Sequence, residues 1–233
     1  MLRNRIKNHL HVDELIRERT ANLVRLQSGL VFALADLVEN RDRNTGGHID
    51  RTTSYIRILL DAMVERGVYA DEVSSWNLDQ VASSSRLHDI GKIAIPDAIL
   101  NKPGKLTLEE FETMKTHAAE GERIIGQIVS RTGEEEFLRY TKLSAGYHHE
   151  RWDGSGYPYR KRGTDIPLLG RIVAIVDVYD ALISERPYKR PFTEEEAIRI
   201  ITNGAGSHFD PYIADVFFKV KDQIVTARTK LTQ

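Results

Sequence analysis

The amino-acid sequence predicts an all-α fold. No stretch alternates apolar and polar residues for long enough to build a sheet. Two segments open with the capping-box pattern, Thr107-Leu-Glu-Glu110 and Thr193-Glu-Glu-Glu196. A third opens on Asp210-Pro211, an aspartate cap followed by a proline at the first helical position.

Taken in order, residues 1–27 are dense in charge, with Leu2, Ile6, Leu10, Leu15, Ile16, Leu23 and Leu26 at partly helical spacing, too irregular to fix a heptad. No glycine or proline interrupts the segment before Gly29, so it reads as a linker helix ahead of a domain over 28–233. It could also pack on that domain, or form a homodimer as a coiled coil. Ser28 is placed to cap a second helix over 29–39, with Leu30, Val31, Leu34, Leu37 and Val38 on its apolar face. The turn Arg41-Asp-Arg-Asn-Thr-Gly-Gly-His48 then delivers a histidine to the start of a helix over 49–65, stopped by Gly67. A helix over 78–88 ends in Leu87-His88-Asp89-Ile90-Gly91-Lys92. On a helical turn, His88 and Asp89 point about 100° apart and can share a divalent ion. Gly91 would stop the helix there, and Lys92 would set a cation beside the ion.

The helix opened by Thr107 runs to about residue 129 and carries His117; the next, over 134–149, ends in His148-His149. Glu150-Arg-Trp-Asp-Gly-Ser-Gly-Tyr-Pro158 follows as a turn-rich loop. The most apolar helix, over 171–183, holds Asp177 and Asp180 one turn apart, and a cationic turn through Arg186 and Lys189 lies beyond it.

Composition narrows the function. A hydrophobic content of 41% and a charged content of 29% suit an ordinary globular domain. A formal charge of −1 gives no electrostatic case for nucleic acid or membrane as a partner. No apolar run approaches the roughly 20 residues of a membrane span, and the first residues lack a signal-peptide stretch. The absence of cysteine fits a reducing cytoplasm and excludes thiolate ligands. Any metal is therefore held by nitrogen and oxygen, which suits iron or manganese foremost and also nickel, zinc or magnesium.

Seen singly, each candidate has an ordinary explanation: His48 as a cap or surface residue, His117 as a satisfied boundary residue, the 150–158 loop as a surface turn. The His148-His149 pair is harder to dismiss, because two buried imidazoles without partners are costly. An aspartate within so apolar a helix as that of Asp177 also needs a partner. Together, His48, His88, Asp89, His117, His148, His149 and Asp177 are more than one ion needs and about right for two divalent ions with a shared carboxylate. Such a site polarises a phosphoryl oxygen and lowers the pKa of a bridging water. Lys92 would stabilise the developing charge.

These residues, with His88-Asp-Ile-Gly-Lys92-Ile-Ala-Ile-Pro-Asp97, Lys102-Pro-Gly104, the loop from His148 to Pro158, Asp177-Val-Tyr-Asp180, Arg186-Pro-Tyr-Lys189 and His208-Phe-Asp-Pro211, resemble the HD-GYP family over about residues 28–220. The resemblance implies an HD-superfamily helical bundle and a metal-dependent phosphodiesterase that hydrolyses cyclic di-GMP to pGpG and/or GMP by attack of a metal-bridging hydroxide. It implies Asp89 as the bridging ligand, with His48, His88, His117, His148, His149 and Asp177 around the metals. It also implies Lys92, Arg186 and Lys189 on substrate phosphates, Asp180 as a substrate or supporting polar contact, and Tyr157 in the loop beside the site. Asn44 stands where some members carry a glutamate for a third metal, so two metals are expected. Residues 2–19 resemble the linker after a response-regulator receiver domain. Competing expectations are a receptor that holds cyclic di-GMP or a diguanylate cyclase without turnover, and a hydrolase of another nucleotide.

Overall fold

In the computed structural model the description covers residues 2–42, 47–133, 135–185 and 190–231, with side chains from residue 11 onward. Among these residues there is no strand, and the all-α expectation holds. The helices are α1 (Leu2–Arg41), α2 (His48–Arg66), α3 (Ala70–Val73), α4 (Leu78–Ser84), α5 (Asp97–Leu100), α6 (Leu108–Thr132), α7 (Glu136–Tyr147), α8 (Leu168–Ile183), α9 (Glu194–Asn203) and α10 (Pro211–Leu231).

Both predicted capping boxes are present. Thr107 and Thr193 each accept from the backbone N–H three residues on, and Glu110 and Glu196 return the bond. The helix stop at Gly67 is also present, with φ 67°. Two sequence expectations fail. α1 does not break at residue 28: it runs 40 residues through Ser28 and Gly29, so Ser28 caps nothing. A glycine inside a helix costs about 1 kcal/mol, and burial of Val31, Ala35 and Val38 against the domain outweighs that.

The second failure concerns the expected helix over 78–88. α4 stops at Ser84, two 3-10 segments follow (Ser85–Leu87 and Ile90–Ala94), and His88 and Asp89 lie in the turn between them. Gly91 is therefore no helix stop. A Cβ there would sit 1.9 Å from the His117 carbonyl oxygen and 2.5 Å from the Gly121 nitrogen, so a side chain is excluded by the backbone of α6. The loop that carries His88, Asp89 and Lys92 is thereby pressed directly on the helix that carries His117.

Two apolar clusters flank this contact. The larger joins α2, α4, α8, α9 and α10, with Tyr55, Leu59, Ile172, Val176, Tyr179, Phe217 and Ile224 fully or almost fully buried. The smaller joins the end of α1 to Ile49, Leu87, Ile90, Ile125, Phe137 and Ala145. The polar site lies between them. α10 is anchored by a buried ion pair that sequence reading missed. Arg171 on α8 donates to Asp210 at 2.7 Å, and Tyr69 donates to the same carboxylate oxygen at 2.7 Å. The other oxygen of Asp210 caps α10 by accepting from Tyr212 N–H at 2.9 Å.

By length and composition, the part of α1 from His11 to Arg41 is also apolar enough to cross a membrane. Its best 18-residue window averages a hydropathy of 1.3. The expectation that nothing approaches a span is corrected, because Arg25 and Asp36 interrupt the run without lowering its mean far.

Replacement of Asp210 by alanine leaves the Arg171 charge buried and unpaired and removes a cap. The expected loss is about 3–5 kcal/mol of folding stability, read as a lowered midpoint in chemical denaturation.

Candidate metal centre

Each side chain of the site is delivered by a different kind of local structure. His48 is the first residue of α2, and its N–H donates to Glu39 of α1 at 2.9 Å, which replaces the cap that Gly47 cannot supply. His88 and Asp89 occupy the turn pinned by Gly91. His117 projects from the middle of α6, His148 and His149 close α7, and Asp177 comes from α8.

The ring nitrogens are oriented by what lies behind them. Nδ1 of His88 lies 2.8 Å from the Ser85 carbonyl, that of His117 2.8 Å from Met114, and that of His148 2.9 Å from Ser144. A carbonyl only accepts, so each Nδ1 carries the proton and each Nε2 presents a lone pair inward. His48 differs only in that Nδ1 donates to a side chain, Asp180 Oδ2, at 2.8 Å. The inward atoms then face one another. Nε2 of His48 is 3.5 Å from that of His88, and Nε2 of His117 is 3.4 Å from that of His148. Two lone pairs at that distance make no hydrogen bond, and a cation satisfies both.

Two groups of donors result, each with its atoms within 4.8 Å of one another: Asp89 with His117, His148 and His149, and Asp89 with His48 and His88. Asp177 joins the second, with Oδ1 3.5 Å from His48 Nε2 and 3.9 Å from His88 Nε2. Asp89 belongs to both. Its Oδ1 lies 3.4 Å from His117 Nε2 and 3.7 Å from His148 Nε2, whereas its Oδ2 lies 3.5 Å from His88 Nε2. All seven residues expected around a metal are thus brought together, and the donor set fits divalent cations.

Electrostatics agrees with that fit. Burial pushes His88 and His117 down to about 4, with the neighbouring His148 adding to the effect, so both are neutral near pH 7 and able to ligate. Burial and the adjacent imidazoles hold His149 well below its ordinary value. His48 moves up: burial opposes its charge, but the Asp180 bond and the Asp177 carboxylate outweigh it. Burial alone would raise Asp89, yet Lys92 and His88 hold it well below the usual carboxylate range.

Lys92 was expected to face substrate. Its ammonium bonds Asp89 Oδ2 at 2.8 Å and Asp42 Oδ2 at 2.7 Å, so two of its three donors are engaged by carboxylates. Asp180 is corrected outright as a substrate contact. It is 1% exposed, accepts from His48, and takes a two-point bond from Arg51 at 2.7 and 2.9 Å. It positions His48. Sequence reading missed Arg51 and Asp42, although His48 and Arg51 share the i, i+3 spacing of Asp177 and Asp180 and so could have been paired. Arg186, Lys189 and Asn44 lie outside the described residues.

The loop after His149 is held by Glu150, 2% exposed, which accepts from the N–H groups of Tyr159 at 2.6 Å and Lys161 at 3.0 Å. Gly156 admits no Cβ, which would meet Arg151 N at 2.3 Å. The loop lays the Tyr157 ring on His149, with centroids 4.7 Å apart. Beside it opens a cleft of about 820 Å³ whose walls include Lys115, Arg151, Tyr157, Arg160 and His208. That volume falls in the range of small-molecule sites.

The chain matches the HD domain family over residues 32–213. It belongs to the HD-domain family. The GYP loop beside the histidine cluster places it in the HD-GYP branch. A "Probable cyclic di-GMP phosphodiesterase" of Vibrio cholerae is 42% identical over 232 residues, which cover 93% of this chain and 53% of that protein. A "3'3'-cGAMP-specific phosphodiesterase 2" of the same organism is 39% identical over 202 residues, covering 87% of this chain and 36% of that protein. The chain thus spans about half the length, or less, of these relatives. The crystal structure of a cyclic GMP-AMP-specific phosphodiesterase of V. cholerae superposes with a TM-score of 0.54 at 19% identity, over 88% of this chain and 51% of that one, and shares the fold.

Because Asp180 supports the inward His48 imidazole through a side chain, Asp180→Asn is expected to weaken divalent-metal affinity about 10- to 100-fold. Competitive titration against a chromogenic chelator would measure it.

Proposed function

We propose that this domain is a cyclic-dinucleotide phosphodiesterase that hydrolyses cyclic di-GMP to pGpG and/or GMP. The observation that carries the reading is the division of Asp89 between two imidazole groups, next to a cleft lined by Lys115, Arg151 and Arg160 as well as Glu112 and Glu120. Two divalent ions, iron or manganese foremost, would be held by His48, His88, Asp89, His117, His148, His149 and Asp177. They would supply Lewis acidity and a water of lowered pKa. The relatives named as phosphodiesterases support the same reading.

The chain's own residues then do three things. Lys92 offsets the charge of Asp89, and a cation at that place would stabilise growing phosphoryl charge. Tyr157, stacked on His149 and with the Lys115 ammonium 5.7 Å over its ring, would bring an aromatic and a cationic contact together at the cleft. Arg186 and Lys189, by resemblance, would add phosphate contacts. Residues 1–27 would serve as the linker to an upstream receiver domain, in a cytoplasmic protein.

A second reading, 3'3'-cGAMP as substrate, is favoured by the relative named for that nucleotide. Parallel turnover of the two dinucleotides decides between them.

The direct test is metal content by elemental analysis on anaerobically purified protein, with product formation followed on the same sample. Two metals per chain with turnover, both diminished in Asp89→Ala, is the expected result. Metal-free protein with intact donors would overturn it. Tyr157→Ala is expected to raise KM about tenfold, as loss of one stacked base would, with a smaller change in kcat, as measured by initial rates.

A further inference from the structure

α1 carries two apolar faces, and only one is used. Val31, Ala35 and Val38 are buried against the domain. Of the apolar residues of α1 that stay exposed, Leu15, Val24, Phe32 and Leu34 lie off a common line, and six others fall on one. Val12, Ile16, Leu23, Leu26, Leu30 and Leu37 are 49–67% exposed. Together with Arg19 and Ala33 they advance by alternating steps of four and three residues, the spacing of a coiled-coil seam. The heptad that sequence spacing alone left irregular emerges once the domain-facing residues are removed. This seam lies roughly 120° around the helix from the docked face, at 100° per residue.

We propose that the outer face of α1 is the seam of a two-stranded parallel coiled coil with a second copy of this chain. The flanking positions favour self-pairing. In a parallel pair, Leu15 would meet Thr20, Asn22 would meet Gln27, and Gly29 would meet Leu34 of the other copy, so no flanking pair over this stretch opposes like charges. Parallel pairing also keeps the leucine-rich half, Leu23 to Leu37, against itself, and Arg19 marks where the seam turns polar. The area covered would be on the order of 1,000 Å² over both copies, near the lower bound of about 1,200 Å² for stable association.

A lipid surface is the other occupant that so apolar a helix could take. It is disfavoured because Val31, Ala35 and Val38 within that stretch are already held by the domain, and Arg86 lies 5.8 Å over the ring of Phe32. Crossing a bilayer would strip those contacts away.

The proposal is independent of the reaction, and its test is the mass of the chain in solution. Light scattering across the micromolar range is expected to give twice the 26.5 kDa of one chain. Leu26→Glu with Leu30→Glu is expected to give a single-chain mass at unchanged helical circular dichroism. As the chain has no cysteine, Leu26→Cys and Ser28→Cys each introduce one thiol. Under a mild oxidant, Leu26→Cys should yield a linked pair and Ser28→Cys, on the far side of the helix, should not. A single-chain mass for the unaltered protein, or equal cross-linking at 26 and 28, would overturn the seam. So would co-sedimentation with phosphatidylcholine–phosphatidylglycerol vesicles that the double glutamate variant abolishes, which would assign the face to lipid.

Discussion

Imidazoles turned inward with their lone pairs facing are the constraint on which this structure rests. Left to themselves, facing lone pairs repel. Every element around the site is arranged to hold that costly geometry in place: carbonyls of three separate segments fix the protons on the outer nitrogens, and a glycine lets the central turn lie on α6. Two apolar clusters on either side supply the folding free energy that the polar centre does not. An arrangement of this kind suits a positively charged ion.

The division of labour between α8 and the turn at His88-Asp89 follows from the same constraint. α8 is buried along most of its length, so its two aspartates must both find partners. Asp177 turns toward the histidines, while Asp180, one turn on, is taken by Arg51 and His48. One carboxylate serves the cluster and the other fixes the orientation of its neighbour. Arg51 leaves the second carboxylate charged at modest cost: although burial works against it, the bonds from His48 and Arg51 bring Asp180 down to about 2.

Much of this was legible in the sequence, because it is written in local signals. Capping boxes at Thr107 and Thr193 mark two helix starts to the residue, and Asp210-Pro211 a third. The candidate donors stood out because histidines and aspartates at apolar positions demand partners. What could not be read were relations between distant segments. Nothing local says that Gly91 faces the backbone at residues 117–121, that Asp42 meets Lys92, or that Arg171 meets Asp210. Ser28 shows the opposite error: a good local cap signal was overruled by tertiary burial three residues later. The same burial obscured the heptad, since two interleaved apolar faces on one helix look like irregularity until one of them is covered.

The end of α1 is tied to the central loop by more than packing. Arg41 donates to the carbonyls of Lys92 at 2.8 Å, Ile93 at 2.9 Å and Ile95 at 2.7 Å, and pairs with Asp97. Its neighbour Asp42 holds the Lys92 ammonium. α1 is a rod about 60 Å long at 1.5 Å per residue, and its last turn grips the main chain of the loop as well as side chains. A twist or slide of the rod is therefore also a displacement of the loop, delivered as backbone movement at the one segment that holds both Asp89 and Lys92. Mechanically, the helix is a crankshaft, and the metal centre is mounted on its throw.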